Sequence, residues 1–323
     1  MAHNKTIAQH YVPQFLLYGF ASASDKINLF DLKKNEVRFN QAINFVFYEN
    51  YFYDTDNRVE NMLLLLEKKA SVPINKIRQD GYSRIEENDK CELIIFLCAQ
   101  LSRTKAARDR YLGMLDEKNM EKVKASLAKK YHEDTDFGHY HYPKEDLRKI
   151  SAINTSEGVL HSMVMNDLRF HVLINKTDKE FIISDHPMIV INALYKEESQ
   201  FMPGPLARGA QLFLPLSKNI CLCAYDPKVY KYGGQKSLTA SEINLKDVQW
   251  LNKLQALSAA HFIGFSSPLM EKYVRNLKPS KENCLPSFYK VLKKAKKLYK
   301  NPQLRNPQKY RDFLRFLSVE GAL

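Results

Sequence analysis

The sequence predicts an α+β protein, with a mostly helical N-terminal half packed on a C-terminal antiparallel sheet and a helical basic C-terminal tail. Three observations predict it. Between residues 57 and 168 apolar residues recur at the i, i+3, i+4 spacing of helices that bury one face. From Arg169 the chain changes to short apolar runs separated by turn residues, the texture of strands. Beyond Glu271 lysines alternate with an apolar stripe. Helices first and strands afterwards are the order of the α+β class.

The elements follow in order. Gln9-His10-Tyr11-Val12 reads as a short extended entry to a helix, with Pro13 in the first turn, where a missing N–H costs nothing. Residues 26–47 alternate apolar and polar around a turn at Asn35 and read as a hairpin. A helix is expected from about Asn57 to Ser71, ended by Pro73. Cys91 to Tyr111 reads as one helix, apolar on every side in its first half and carrying Arg103, Lys105, Arg108 and Arg110 in its second. Glu121–Lys130 and Ser156–Leu168 are further helices. Phe170–Ile174 and Glu180–Ile183, joined by the turn Asn175 to Asp178, read as a hairpin. Met188–Ile191, Gln211–Leu214 and Ile220–Ala224 continue the antiparallel sheet. Asp247–Ala260 is a helix, Phe262–Phe265 a strand and Ser287–Lys300 a last helix. Residues 1–268 thus read as a single α+β domain and 269–323 as a basic helical extension.

With 323 residues and 45% hydrophobic side chains the chain is long enough to bury a substantial core, as one large domain or two fused ones. The opening Met1–Gln9 is polar and unlike a signal peptide. The most apolar run, Leu93–Ala99, is far below the ~18 residues of a membrane span. The five cysteines (Cys91, Cys98, Cys221, Cys223 and Cys284) include no CxxC pair. This argues against a disulfide framework or zinc ribbon and for a reducing, cytoplasmic setting in a bacterium. The net charge of +13 is concentrated at the end: residues 271–315 hold fourteen Lys or Arg against three acids, 14 − 3 = +11. That asymmetry points to a polyanion such as RNA, DNA or an anionic membrane surface, or to a solvated basic helix that only confers solubility.

Phosphate-loop, nucleophile-elbow, HExxH and EF-hand patterns are absent; Gly233-Gly234-Gln235-Lys236-Ser237 lacks the glycine that should precede Lys-Ser. Three polar spots remain. Gln9-His10-Tyr11 precedes a helix start, where N–H groups favour an anion, unless these side chains only satisfy loop backbone. Ser184-Asp185-His186-Pro187 interrupts two apolar half-strands, as a site or as an Asx-type corner. Glu60 and Glu67 share a helix face about 10 Å apart, and Gln100 and Arg103 share another. A buried Arg103 needs a carboxylate, Glu60 or Glu67, or a substrate phosphate. The polar run His132, Glu133, Asp134, Asp136, His139 and His141 is either a metal site or a solvated loop.

At these residues the chain resembles an uncharacterised bacterial family, the domain of unknown function DUF4238. The resemblance rests on Gln9-His10-Tyr11-Val12-Pro13 with Phe15-Leu16 and Phe20, and on Tyr53 ahead of Val59-Glu60, Glu67 and Arg103-Thr104. It continues through Ser184-Asp185-His186-Pro187, Leu214-Pro215-Leu216-Ser217 and Leu251-Asn252, and leaves out the lysine-rich tail. The family has no assigned activity. The resemblance implies that these polar positions form one site, and families of this type suggest a role in bacterial host defence.

The leading expectation is a phosphodiester-cleaving, nuclease-like enzyme. His10 would act as acid/base, Asp185 with Glu60 or Glu67 would hold Mg2+ or Mn2+, and Arg103 would bind phosphate. Gln9, Tyr11, Gln100, Ser184 and Asn252 would contact substrate, and Lys290, Lys293, Lys294 and Lys297 would gather the nucleic acid. The alternative is a non-catalytic nucleic-acid-binding or regulatory protein whose polar motif fixes the fold. A small-molecule hydrolase or transferase is the third.

Overall fold

A computed structural model describes residues 6–23, 25–80, 85–114, 147–165, 167–192, 205–230 and 238–277. The first strand, β1 (Ala8–His10), pairs antiparallel with β4 (Tyr48–Asn50). Pro13 caps the one-turn helix α1 (Gln14–Leu17) at φ −65°, the angle its ring imposes. Strands β2 (Lys26–Asp31) and β3 (Glu36–Ala42) form the expected hairpin. Asn35 turns it at φ 58°, a left-handed conformation that asparagine tolerates, and the Asp31 carboxylate accepts from the N–H groups of Lys33 and Lys34.

Helix α2 (Arg58–Asp80) runs through Pro73 instead of ending before it. A proline in a helix interior costs about 3 kcal/mol. Ile74 and Ile77, both fully buried in the turn beyond it, offset that cost with about 2 kcal/mol each. Arg78 then ties the end of the helix down: its guanidinium donates to the carbonyls of Phe15, Leu16 and Leu216 at 2.9, 2.9 and 2.6 Å.

The helix expected over 91–111 is two helices, α3 (Glu87–Ser102) and α4 (Lys105–Met114). The break falls at Arg103, whose φ −88° and ψ 0° leave helical geometry. Thr104 restarts the chain by accepting the Ala107 N–H on its hydroxyl, which caps α4. Helix α5 (Leu147–His161) starts and stops earlier than the expected 156–168. It lies so close to α3 that a β-carbon on Gly158 would come within 1.9 Å of Ser102 Oγ.

The remaining elements are β5 (Arg169–Asn175), β6 (Ile183–Ser184), β7 (Ile189–Asn192), β8 (Ala210–Ser217), β9 (Ile220–Tyr225), β10 (Leu238–Ile243), helix α6 (Leu245–Ser258), β11 (Phe262–Phe265) and helix α7 (Glu271–Asn276). One sheet has the order β10-β5-β9-β8-β7 and a second the order β3-β2-β11-β6. The chain is α+β, with two departures from the expected sheet. The hairpin between Phe170–Ile174 and Glu180–Ile183 does not form: β5 pairs with β9 and β10, and β6 pairs with β11. The turn closes on itself instead, Asn175 donating to the Lys179 carbonyl at 2.6 Å, and the Phe181 N–H then bonds Lys218. In addition, β10 runs parallel to β5.

The N-terminal hairpin joins the C-terminal strand, with Asn28 opposite Phe265 and Asp31 opposite Phe262. The two halves of the chain therefore interleave. A large core fills the space between helices and sheets. A smaller one gathers Phe30, Ile182, Ala256, Ile263, Phe265, Met270 and Val274. Met270 and Val274 extend the packed body past residue 268 into α7. The expected helix 121–130, the polar run 132–141 and the tail with Lys290, Lys293, Lys294 and Lys297 lie outside the described residues.

Candidate functional site

Arg103 leaves the end of α3 and turns inward, 2% exposed. Its Nε donates to the Tyr53 hydroxyl at 3.1 Å, one terminal nitrogen pairs with Glu67 at 2.7 Å, and the other donates to the His10 carbonyl at 2.6 Å. Arg103 thus joins α2, α3, β1 and the loop after β4. Gln9 braces the same junction. Its amide donates to the Asp54 carbonyl and carboxylate, and its oxygen accepts the Tyr53 N–H at 2.7 Å. Gln100, one turn before Arg103, donates to the Tyr11 carbonyl at 3.1 Å.

Glu60 lies in the same region of charge but is not spent in the same way. Its Oε2 is buried without a hydrogen-bond partner among the described residues. Burial raises its pKa to about 7; Arg103 pulls it down, while Glu67 and Asp54 push it further up. The His10 imidazole is half-buried, near the Tyr48 ring and the Gln14 amide. Burial and the Arg103 charge lower its pKa to about 4, so it is neutral at neutral pH.

Asp185 belongs to a second network. Its carboxylate accepts the N–H groups of Ala260, His261 and Phe262 at 2.8, 2.7 and 3.2 Å, holding the turn between α6 and β11. Burial pushes the carboxyl up and these three donors pull it back. Helix α6 presents a polar stripe to the same segment. Asn252 accepts the Ile182 N–H and donates to the Glu180 carbonyl, at 3.1 and 2.8 Å. Gln255 accepts from the N–H and hydroxyl of Ser184 and donates to the Pro187 carbonyl. The Ser258 hydroxyl reaches the His186 carbonyl.

Between the two networks stand Tyr11 and a run of charges. Glu49 pairs with Lys105 at 2.7 Å and with Arg108 at 3.5 Å. Burial and the charges of Asp185 and Glu49 push the Tyr11 hydroxyl well above its ordinary pKa. Beside them His186 faces the Thr104 hydroxyl through Nδ1 at 2.6 Å and the Arg110 guanidinium through Nε2 at 3.4 Å.

The structure therefore gathers His10, Gln9, Glu60, Glu67, Gln100 and Arg103 around one junction. It places Asp185, Ser184 and Asn252 around another. Asp185, Glu60 and Glu67 do not form a metal-binding group, and no three His, Cys, Asp or Glu side chains do so among the described residues. Sequence reasoning passed over Gln255, Ser258 and the pairing of Thr104 with His186. The spacing of Asn252, Gln255 and Ser258, three polar residues on one face of a helix that also buries Val248, Leu251 and Leu254, was the available signal.

The family model described as "Protein of unknown function (DUF4238)" matches residues 8–268. The chain belongs to the DUF4238 family. No curated protein and no solved structure matches it. Both networks lie within the DUF4238 region, and the lysine-rich tail lies beyond it.

Proposed function

We propose that this DUF4238 protein is a non-catalytic nucleic-acid-binding or regulatory protein, in which the polar motif is an internal brace and the basic C-terminal segment collects the polyanion. The observation that carries this reading is the commitment of Arg103. All three guanidinium nitrogens are engaged by Tyr53, Glu67 and His10, and 2% exposure leaves no face for a substrate phosphate. Asp185, with three backbone donors on its carboxylate, supports the same reading. The +11 excess over residues 271–315 supplies the attraction, since each neutralised phosphate releases counterions.

A second reading keeps the phosphodiester-cleaving enzyme dependent on Mg2+ or Mn2+. One observation favours it: Glu60 is a buried carboxyl with an oxygen that has no partner among the described residues and a pKa of about 7, the profile of a general acid or base.

One experiment separates the two. Labelled single- and double-stranded RNA and DNA are titrated with the full chain at several salt concentrations, with Mg2+, Mn2+ or EDTA, and the products are then resolved on a gel. Binding without cleavage is expected, with the salt slope reduced by about 3 when Lys290, Lys293, Lys294 and Lys297 become alanine. Cleavage that needs metal and vanishes in Glu60→Gln would establish the enzyme. Binding unaffected by the four substitutions would overturn the role of the tail.

A further inference from the structure

A hollow lies among α3, α4 and α5. Its volume is about 310 Å3, at the lower end of what small-molecule sites occupy. The floor is apolar, built from Cys98, Leu101, Ala107 and Gly158, with Pro205 at the side. Gly158 matters here because a β-carbon would clash with Ser102. The close approach of α3 and α5 that shapes this floor requires glycine. Asn154, Glu157 and His161, spaced along one face of α5, make one polar wall, and Arg110 and Tyr111 on α4 make the other.

The charges on this rim are unequally committed. Glu157 accepts from the Tyr111 hydroxyl at 3.2 Å. Arg110 has no carboxylate partner among the described residues, and its described contact is Nε2 of His186 at 3.4 Å. His186 is 3% exposed, and burial with the Arg110 charge lowers its pKa to about 3, so the ring stays neutral. A neutral ring that accepts from Arg110 on Nε2 carries its proton on Nδ1 and gives it to Thr104 Oγ1, 2.6 Å away. Thr104 is itself fixed as the cap of α4. Thr104 and His186 therefore form a buried stay that aims a guanidinium at the hollow without neutralising it. Arginine is the residue suited to the forked oxygens of a carboxylate or phosphate.

We propose that this hollow is a binding site for a small organic anion, with its apolar body on the Cys98, Leu101, Ala107 and Gly158 floor and its carboxylate or phosphate on Arg110. Thr104 and His186 are positioning residues. They act on the ligand through Arg110, which gives the His186 side chain a role that the brace, using only the His186 carbonyl, does not need.

The test is calorimetric titration of the full chain with benzoate, phenyl phosphate and the neutral benzamide. At least one of the two anions is expected to bind, the comparison between them showing which headgroup is preferred, and benzamide is expected to bind about tenfold more weakly or worse, a difference of ~1.4 kcal/mol. Arg110→Met should remove the preference for the anion with an unchanged melting temperature, because Arg110 is exposed. Ala107→Leu, which fills the floor, should abolish binding of all three, and His186→Gln should weaken the anions while sparing benzamide. Failure of both anions to bind, equal affinity for benzamide, or unchanged affinity in Arg110→Met would each overturn the proposal.

Discussion

Tyr53 and Arg103 bond one another twice: the Arg103 Nε donates to the Tyr53 hydroxyl at 3.1 Å, and that hydroxyl lies 3.1 Å from the Arg103 carbonyl, to which it donates. The carbonyl is one that the end of α3 leaves without a helical partner, so one tyrosine satisfies both a buried side chain and a helix terminus. The guanidinium also sits 5.9 Å from the Tyr53 ring centroid. A residue so held is a strut, and its loss should be felt as lost stability.

Arg103→Ala strands Glu67 without its cation and leaves the His10 carbonyl and Tyr53 hydroxyl short of a donor. The expected cost is about 3–5 kcal/mol, read by chemical denaturation. Arg103→Lys should recover only part of it, because one ammonium cannot reach three acceptors in the geometry of the fork. A loss below ~1 kcal/mol would contradict the strut.

Asp185→Asn replaces one acceptor oxygen by an N–H2 group facing backbone donors. About 2–3 kcal/mol should be lost, with nucleic-acid affinity unchanged at a temperature where the variant is still folded. A variant as stable as the parent would show that the three bonds to Ala260, His261 and Phe262 contribute little.

Glu60 gives a pH dependence of definite sign. Its pKa rises from 4.5 to about 7 on folding, so the folded state holds an extra proton between those values. Stability from this group is present below about pH 4.5 and is lost as pH rises toward 7. The change is about 3 kcal/mol by linkage. Glu60→Gln should therefore match the parent near pH 4 and exceed it at pH 8, measured as unfolding free energy across the range.

Three histidines act in the opposite direction. Burial lowers His10 and His171 to about 4 and His186 to about 3 from the usual 6.5. Their contribution is present above pH 6.5 and is lost as pH falls through these lower values. Melting temperature should drop steeply between pH 6 and pH 4, and His171→Gln should flatten part of that slope.

Gly158→Ala should cost about 1–3 kcal/mol, because its β-carbon would meet Ser102 Oγ at 1.9 Å and Cβ at 2.4 Å. Ser102→Gly in the same chain should restore most of the loss, since it removes both atoms. A double-mutant cycle measures the coupling.

Much of the fold was legible because local chemistry and tertiary packing agree. The 26–47 hairpin turns at an asparagine that accepts positive φ, and Phe262–Phe265 is an apolar run set off by a preceding turn. Sequence misled where distant groups overrode a local rule. Pro73 is carried inside α2 because Arg78 finds acceptors on Phe15 and Leu216, neither visible from the neighbourhood of residue 73. Arg103 splits a strongly helical run because its partners come from residues 10, 53 and 67. The polar residues of the candidate site were recognisable one by one. Their division into two networks was not, since Asp185 is committed to backbone N–H groups that carry no side-chain signature.

Strand β11 lies between β2 and β6, bringing Phe265 opposite Asn28. During synthesis the hairpin of β2 and β3 must therefore wait, with one edge unpaired, until more than two hundred further residues have left the ribosome. Such an edge is a template for pairing with another nascent chain, and closing so long a loop slows folding. A stop codon anywhere before Phe262 would leave β2 and β6 without the strand that joins them. Expression of truncated chains is thus expected to yield aggregate, even for fragments that retain every residue of the Arg103 junction.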